Sequence, residues 1–267
     1  MSAYKALFRI RFVNSLQYRI AAIAGLVTQF VWGFMYILGF NAFYASNPAA
    51  FPMTLEQTIS YVWLQQAFMA LFFIWFYENS IFADIESGQI AYEMVRPVNI
   101  FNKWFTQTAA NRLARAALRC VPVLVVAFLL PEQFRLVLPG EPLRILLFFL
   151  SMMLSMVVVV SFSMLIYISA FYTINSLGTR IVVGVAGDFL AGGYIPIPFF
   201  PEALRQIVEL SPFGAMQNMP LLIFSGYLDG AGIARGMLLQ VFWIVVLLSI
   251  GHISMHRALK RVVVQGG

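Results

Sequence analysis

The chain has 267 residues, of which 61% are hydrophobic and only 10% charged, with a formal net charge of +6. Soluble domains carry about 25% charged residues, so a soluble fold of this size could not hide so much apolar surface. Disorder needs low hydrophobicity and high charge and is excluded too. The lone cysteine, Cys120, excludes a disulfide scaffold. Long continuous apolar runs, rather than short alternating ones, exclude a transmembrane barrel. What remains is an all-α polytopic membrane protein in which one transmembrane domain fills residues 1–267.

The preface from Ser2 to Tyr18 reads as a helix. Ala3, Ala6, Leu7, Ile10 and Val13 share one side at helical spacing, opposite a face of Tyr4, Lys5, Phe8, Arg9, Arg11 and Phe12. Basic plus aromatic residues suit a helix lying at a membrane interface, within residues 1–18. The first apolar run is too long, and its basic preface too extended, for a cleaved signal peptide.

Crossing the hydrocarbon core takes about 20 apolar residues, and six segments qualify. They are expected near Ile20–Tyr44, Thr58–Tyr77, Asn111 (or earlier) to Leu130, Leu143–Tyr172, Leu177 to Gly192-Gly193, and Gly236–Met255. An even number of crossings puts both ends on one side. Lys5, Arg9, Arg11, Arg19, Arg96, Lys103, Arg112, Arg115, Arg119, Arg180, Arg257, Lys260 and Arg261 then share that side. Only Arg135, Arg144, Arg205 and Arg235 face the other. The positive-inside bias therefore places both termini in the cytoplasm. It also accounts for the basic net charge without nucleic acid.

Between the second and third spans, residues 78–103 form an elbow with four acids, Glu78, Asp84, Glu86 and Glu93, where bases are usual. Ile81 and Ile85 are four apart, as are Ile90 and Met94, so two short helical pieces are expected with a bend at Gly88. Arg96-Pro97 stops the second piece. Such an amphipathic acidic elbow suits docking on a soluble partner. Next, Arg112, Arg115 and Arg119 form one helical stripe, placed to snorkel toward lipid phosphates.

The stretch 192–235 is apolar yet broken. Gly192, Gly193, Pro196, Pro198 and Pro201 end the fifth span, at or near the outer surface. Glu202–Leu210 reads as a short amphipathic helix, and Pro212 and Pro220 set off a second piece, Met219–Phe224. Freed backbone groups cannot face hydrocarbon unpaired, so these pieces are expected to be re-entrant or interfacial helices sheltered by protein. Inside the spans, Asp188 is the one acid. Arg119 lies roughly 16 Å below the outer end of span three, and Asp188 roughly 15 Å into span five. Both fall near the middle of a core about 30 Å thick. Asp188 is therefore expected to pair with Arg119, or with Arg115 one turn away.

Much chemistry is missing. Lys5, Lys103 and Lys260 are the only lysines, and none sits in a phosphate-binding loop. His252 and His256 stand one turn apart without a carboxylate or cysteine near them in sequence, so no metal site is expected. Ser161 and Ser163 have no Lys or His close in sequence to activate them.

The order of parts resembles the membrane permease subunits of type-2 ABC exporters, small six-span permeases often encoded in pairs. The local patterns are Ile85-Glu-Ser-Gly88, Met94-Val-Arg-Pro97, Gly193-Tyr-Ile-Pro196, Phe200-Pro201 and Ser211-Pro-Phe213. The resemblance implies that the elbow is the coupling helix, with Ile85, Glu86, Gly88, Glu93, Arg96 and Pro97 at the contact with an ATP-binding subunit. It implies two permease chains, identical or different, with two ATPase subunits in the bilayer of the cell's inner (plasma) membrane. ATP and Mg would be bound by the partner, with no cofactor in this chain. Arg115, Arg119 and Asp188 are the candidate intramembrane charges. Gly192, Gly193, Pro196, Pro198, Pro201 and Pro212 are the candidate outer gate. Two other readings are a membrane-embedded lipid-modifying enzyme and a structural anchor. The first lacks a polar constellation, and the second leaves the broken helices without a role.

Overall fold

The computed structural model describes residues 3–17, 19–47, 51–173 and 176–262. Met1, Ser2 and Tyr18, which bound the expected N-terminal helix, lie outside the described residues. The described residues form helices and no strand. In chain order these are α1 (Ala3–Leu16), α2 (Arg19–Ser46), α3 (Leu55–Ala67), α4 (Met69–Phe72), α5 (Asn79–Glu86) and α6 (Ile90–Met94). They continue with α7 (Ile100–Leu129), α8 (Pro142–Ser169), α9 (Ser176–Leu190), α10 (Glu202–Leu210), α11 (Met219–Phe224) and α12 (Gly230–Leu259). A 3₁₀ turn (Ile197–Phe199) and a π turn (Gly214–Asn218) join the later pieces.

Local chemistry sets several of these starts. Thr54 caps α3 in a reciprocal box: its hydroxyl accepts from the Gln57 amide at 3.2 Å while the Gln57 side chain accepts from the Thr54 amide at 2.9 Å. Asn99 caps α7 by accepting from the Asn102 amide, and Asp229 caps α12 by accepting from the Gly232 amide. Pro142 opens α8, where its missing N–H costs nothing.

Among the described residues, three helices are long and apolar enough to cross a membrane: α2 from Gly25 to Ser46, α8 and α12. With 30 residues, α7 is also long, about 45 Å by helical rise, but Lys103, Arg112, Arg115 and Arg119 lie along it. One expected span differs from the sequence reading. Thr58–Tyr77 is not one helix: α3 ends at Ala67, α4 adds one turn, and Phe73 is extended (φ −70°, ψ 133°). The fifth expected stretch, from about Leu177 to the glycine break, is α9, a short helix of 15 residues, about 22 Å. Both short helices are supported by side chains from elsewhere, described below.

The core is built around α3, whose residues from Thr58 to Ala67 are all buried. α2, α7 and α11 pack against it, and α8 and α12 pack along each other. At that last seam the Gln240 amide donates to the Ser151 carbonyl, the Ser155 hydroxyl and the Ala215 carbonyl, and its oxygen accepts from the Ser151 hydroxyl. Both polar atoms of this buried glutamine side chain are paired, as burial in an apolar interior requires. α1 runs alongside the first half of α7. Tyr4 accepts from the Asn99 amide (3.3 Å) and Ser15 donates to Asn111 (2.8 Å). Ile10 and Val13 on the opposite face stay exposed.

Candidate functional site

The break after α4 exposes carbonyls and amides that a continuous helix would have paired. Arg112 of α7 takes up the carbonyls. Its Nη1 donates to the carbonyls of Ala70 (3.2 Å), Leu71 (3.3 Å) and Phe73 (2.9 Å). Its Nη2 donates to the Phe76 carbonyl (2.9 Å) and the Ser163 hydroxyl (3.4 Å). The planar fork of guanidinium donors suits such a cluster of acceptors. Arg112 is only 2% exposed, so it is not a lipid-facing member of a basic stripe. On the other side, Asp188 of α9 accepts from the Ile74 amide at 2.6 Å. The Phe73 carbonyl and the Ile74 amide belong to one peptide group. That group is thus held between a guanidinium at its oxygen and a carboxyl oxygen at its N–H, an arrangement in which each hydrogen bond polarises the other.

The ion pair expected between Asp188 and Arg119 or Arg115 is not formed. Arg115 faces Glu78 at 3.9 Å. Arg119 lies against α2, where a β-carbon on Gly25 would come within 2.7 Å of its guanidinium. The expectation assumed an unbroken second span. Once that span unwinds, its freed amide takes the carboxylate. Arg119 is also about 10 Å further along α7 than Arg112, and it faces a different helix.

Glycines let α9 press on this joint, residues 73–77. A β-carbon at Gly187 would come within 2.5 Å of Ile74 Cδ1, and one at Gly184 within 3.3 Å of the Tyr77 hydroxyl. Tyr77 donates to the Arg180 carbonyl (3.2 Å), so Arg180, Gly184, Gly187 and Asp188 form one contact face along α9. The elbow follows directly. Tyr167 accepts from the Glu78 amide (2.9 Å). Arg180 donates to Asn79 (3.1 Å) and lies 4.3 Å over the Phe82 ring, and Ser176 donates to Glu86 (2.6 Å).

Within the elbow, Gly88 takes a positive φ of 75° and bends the chain between α5 and α6. Two of the acids have partners within the chain, although Glu86 remains exposed. Glu93 pairs with Arg96 at 3.1 Å and with Lys103, and Glu86 is held by Ser176. A carboxylate beside two bases is satisfied within the chain. Ile85 is half-buried, while Arg96 and Pro97 are exposed. Its exposed surface includes large apolar and aromatic side chains: Tyr92 (74%) and Val95 (83%), with Met94 beside them.

The second break, at Gly192-Gly193, is buried. The Gly192 carbonyl accepts from Tyr61 (3.2 Å) and Gln65 (3.3 Å), and the Gly193 carbonyl accepts from Gln65 (2.7 Å). Those donors sit about 9 and 15 Å down α3 from Leu55, so the turn is enclosed by protein. Gly192 has φ 81°. The Gly193 amide donates to the Asp188 carbonyl at 2.7 Å. Pro196 and Pro198 frame the 3₁₀ turn, Pro201 precedes α10, and Pro212 separates α10 from the π turn. Beside the break, Asn218 accepts from Tyr61 at 3.4 Å. Desolvation raises the Glu209 carboxyl on α10 above its ordinary range, with Arg205 pulling it back down.

Sequence reasoning singled out Asp188 but missed Arg112, Tyr61, Gln65 and Tyr167. The adjacent Gln65-Gln66 in an apolar run was the one available signal for the polar seam. Among the described residues no group of three or more His, Cys, Asp or Glu could hold a metal ion. The His252 ring lies tilted against Phe101, with ring centroids 3.9 Å apart.

A helical membrane protein is the class that these long apolar helices define. The chain belongs to the ABC-2 family transporter proteins, whose profile matches residues 30–266. Neither the curated proteins nor the solved structures gave a match. Family membership makes the chain an ABC transporter permease, a transmembrane component of a transport system.

Proposed function

We propose that this chain is the permease subunit of an ATP-driven exporter and works with a separate ATP-binding subunit that holds ATP and Mg. In this reading the chain crosses the inner membrane six times with both termini cytoplasmic, counting α3 with α4, and α9, as crossings shortened by breaks. Two permeases and two ATPases form the unit. The elbow docks on the ATPase through Tyr92, Met94 and Val95, with Gly88 and Pro97 shaping the tip. Residues 192–224 form the gate.

One observation carries the reading. Asp188 holds the joint above the elbow with its carboxylate and holds the Gly192-Gly193 turn with its carbonyl. A movement of the elbow therefore reaches the broken segment through a single residue. The test is co-expression with an ATP-binding subunit. Tyr92→Ala with Val95→Ala should leave folding unchanged and weaken ATPase association about tenfold or more, as hot-spot aromatics do. Full association and full stimulation of ATP hydrolysis in that double variant would refute the docking assignment.

A further inference from the structure

A cavity of about 430 Å³ lies between α10, the π turn, α11 and the first turns of α12. It falls within the range of roughly 300–1,000 Å³ typical of small-molecule sites. Its lining is amphipathic. Leu210, Met219, Leu222 and Leu239 supply apolar walls, while Glu209 and Arg235 bring opposite charges to the same space. Arg235 is exposed and makes no hydrogen bond, and no ion pair within 4 Å, with any described residue. Its field nevertheless acts on Glu209. Glu209 has one loose ion pair, to Arg205 at 3.9 Å. Asn218 also lines the cavity. It is 4% exposed, and its amide nitrogen donates to no described residue.

The surroundings are apolar as well. Ile207 and Leu210 on α10, and Leu238, Val241 and Phe242 on α12, are exposed large side chains flanking the cavity. In a membrane protein such faces meet acyl chains. We propose that this cavity binds a phospholipid with a zwitterionic, amine-bearing headgroup. Its phosphate lies on Arg235, its ammonium on Glu209, and its acyl chains on the apolar faces of α10 and α12. Guanidinium pairs with phosphate through charge-assisted hydrogen bonds, the stronger kind of polar contact. An anionic headgroup without an amine would bring further negative charge beside Glu209, and a quaternary ammonium has no N–H to donate to it. Asn218 supplies a donor for an ester or phosphate oxygen.

The test uses the full chain in nanodiscs of mixed phosphatidylethanolamine, phosphatidylcholine and phosphatidylglycerol with identical acyl chains. Lipid retained after detergent extraction is counted by mass spectrometry. The wild-type chain should retain phosphatidylethanolamine about tenfold over the other two. Arg235→Ala should lower total retention about tenfold. Glu209→Gln should keep retention but abolish the headgroup preference. Arg135→Ala, at an exposed ion pair with Glu132 outside the cavity, should change neither and controls for folding. A photoreactive phosphatidylethanolamine should label residues 206–239. The proposal is overturned by equal retention of all three lipids, by unchanged retention in Arg235→Ala, or by a photoreactive residue at Tyr227 that captures a second copy of the chain instead of lipid.

Discussion

The chain interrupts two of its buried helical segments, and it does so by opposite means. At residues 192–193 the interruption is local. Gly192 adopts a left-handed φ, Gly193 has no room for a side chain, and prolines follow at 196, 198 and 201. Tyr61 and Gln65 then secure a turn that the backbone already favours. At residues 73–77 nothing local breaks the helix, since Phe-Ile-Trp-Phe-Tyr holds neither glycine nor proline. There Arg112 and Asp188 replace the hydrogen bonds that a continuous helix would have made. One break is written in backbone preference and tolerates change in its partners. The other exists only while its partners hold it.

That contrast ranks the outcomes of mutation. Arg112→Ala strips donors from four carbonyls. At roughly 1–3 kcal/mol per buried orphaned group, folded yield in detergent size-exclusion should collapse. Arg112→Lys should recover only part, because a point charge cannot serve acceptors on both arms of the fork. A stable, monodisperse Arg112→Ala protein would mean that the joint is held by something else.

Asp188→Ala comes next, at about 1.5–3 kcal/mol for one charged hydrogen bond, read as a lower melting temperature. Asp188→Asn keeps an acceptor for the Ile74 amide and should cost less in stability than Asp188→Ala. Asp188→Arg combined with Arg119→Asp should give no rescue, since the two side chains do not meet. Recovery in that double variant would restore the direct ion pair and remove the peptide-bridged arrangement.

Two glycines sharpen the other half of the comparison. Gly88 and Gly192 have nearly the same φ, 75° and 81°. A β-carbon at Gly88 meets nothing within 4 Å, whereas one at Gly192 falls 2.8 Å from the Tyr61 hydroxyl. Both alanine variants incur about 1–2 kcal/mol of left-handed strain. Gly192→Ala must also displace Tyr61 and should melt lower than Gly88→Ala. Equal melting shifts would show that Tyr61 yields freely and does not secure the turn.

The same contrast explains what could be read from the residues. α10 and α11 match the expected Glu202–Leu210 and Met219–Phe224 because prolines and one amphipathic period mark them locally. The long apolar helices α8 and α12 were legible for the same reason. The break at 73–77 was not, because its partners lie 39 and 114 positions away in sequence. Arg112, Arg115 and Arg119 look equivalent at helical spacing. Only packing distinguishes the one that enters the core from the one beside Glu78 and the one beside Gly25. Asp188 stood out as a lone acid among apolar neighbours, but its partner is a backbone group, and no side-chain pattern announces that.

The peptide between Phe73 and Ile74 also imposes an order of events on biosynthesis. Its carbonyl partner, Arg112, is 39 positions downstream, and its amide partner, Asp188, is 114 positions downstream. Between the two arrivals the chain must grow from residue 112 to residue 188. At about 5–20 residues per second that interval lasts roughly 4–15 s. Throughout it, the Ile74 amide lacks the carboxyl acceptor that it has in the finished chain. The first half of the chain is therefore not a finished subassembly. Whatever inserts it must shelter that peptide until α9 is made, and a chain truncated before Asp188 is a substrate for quality control.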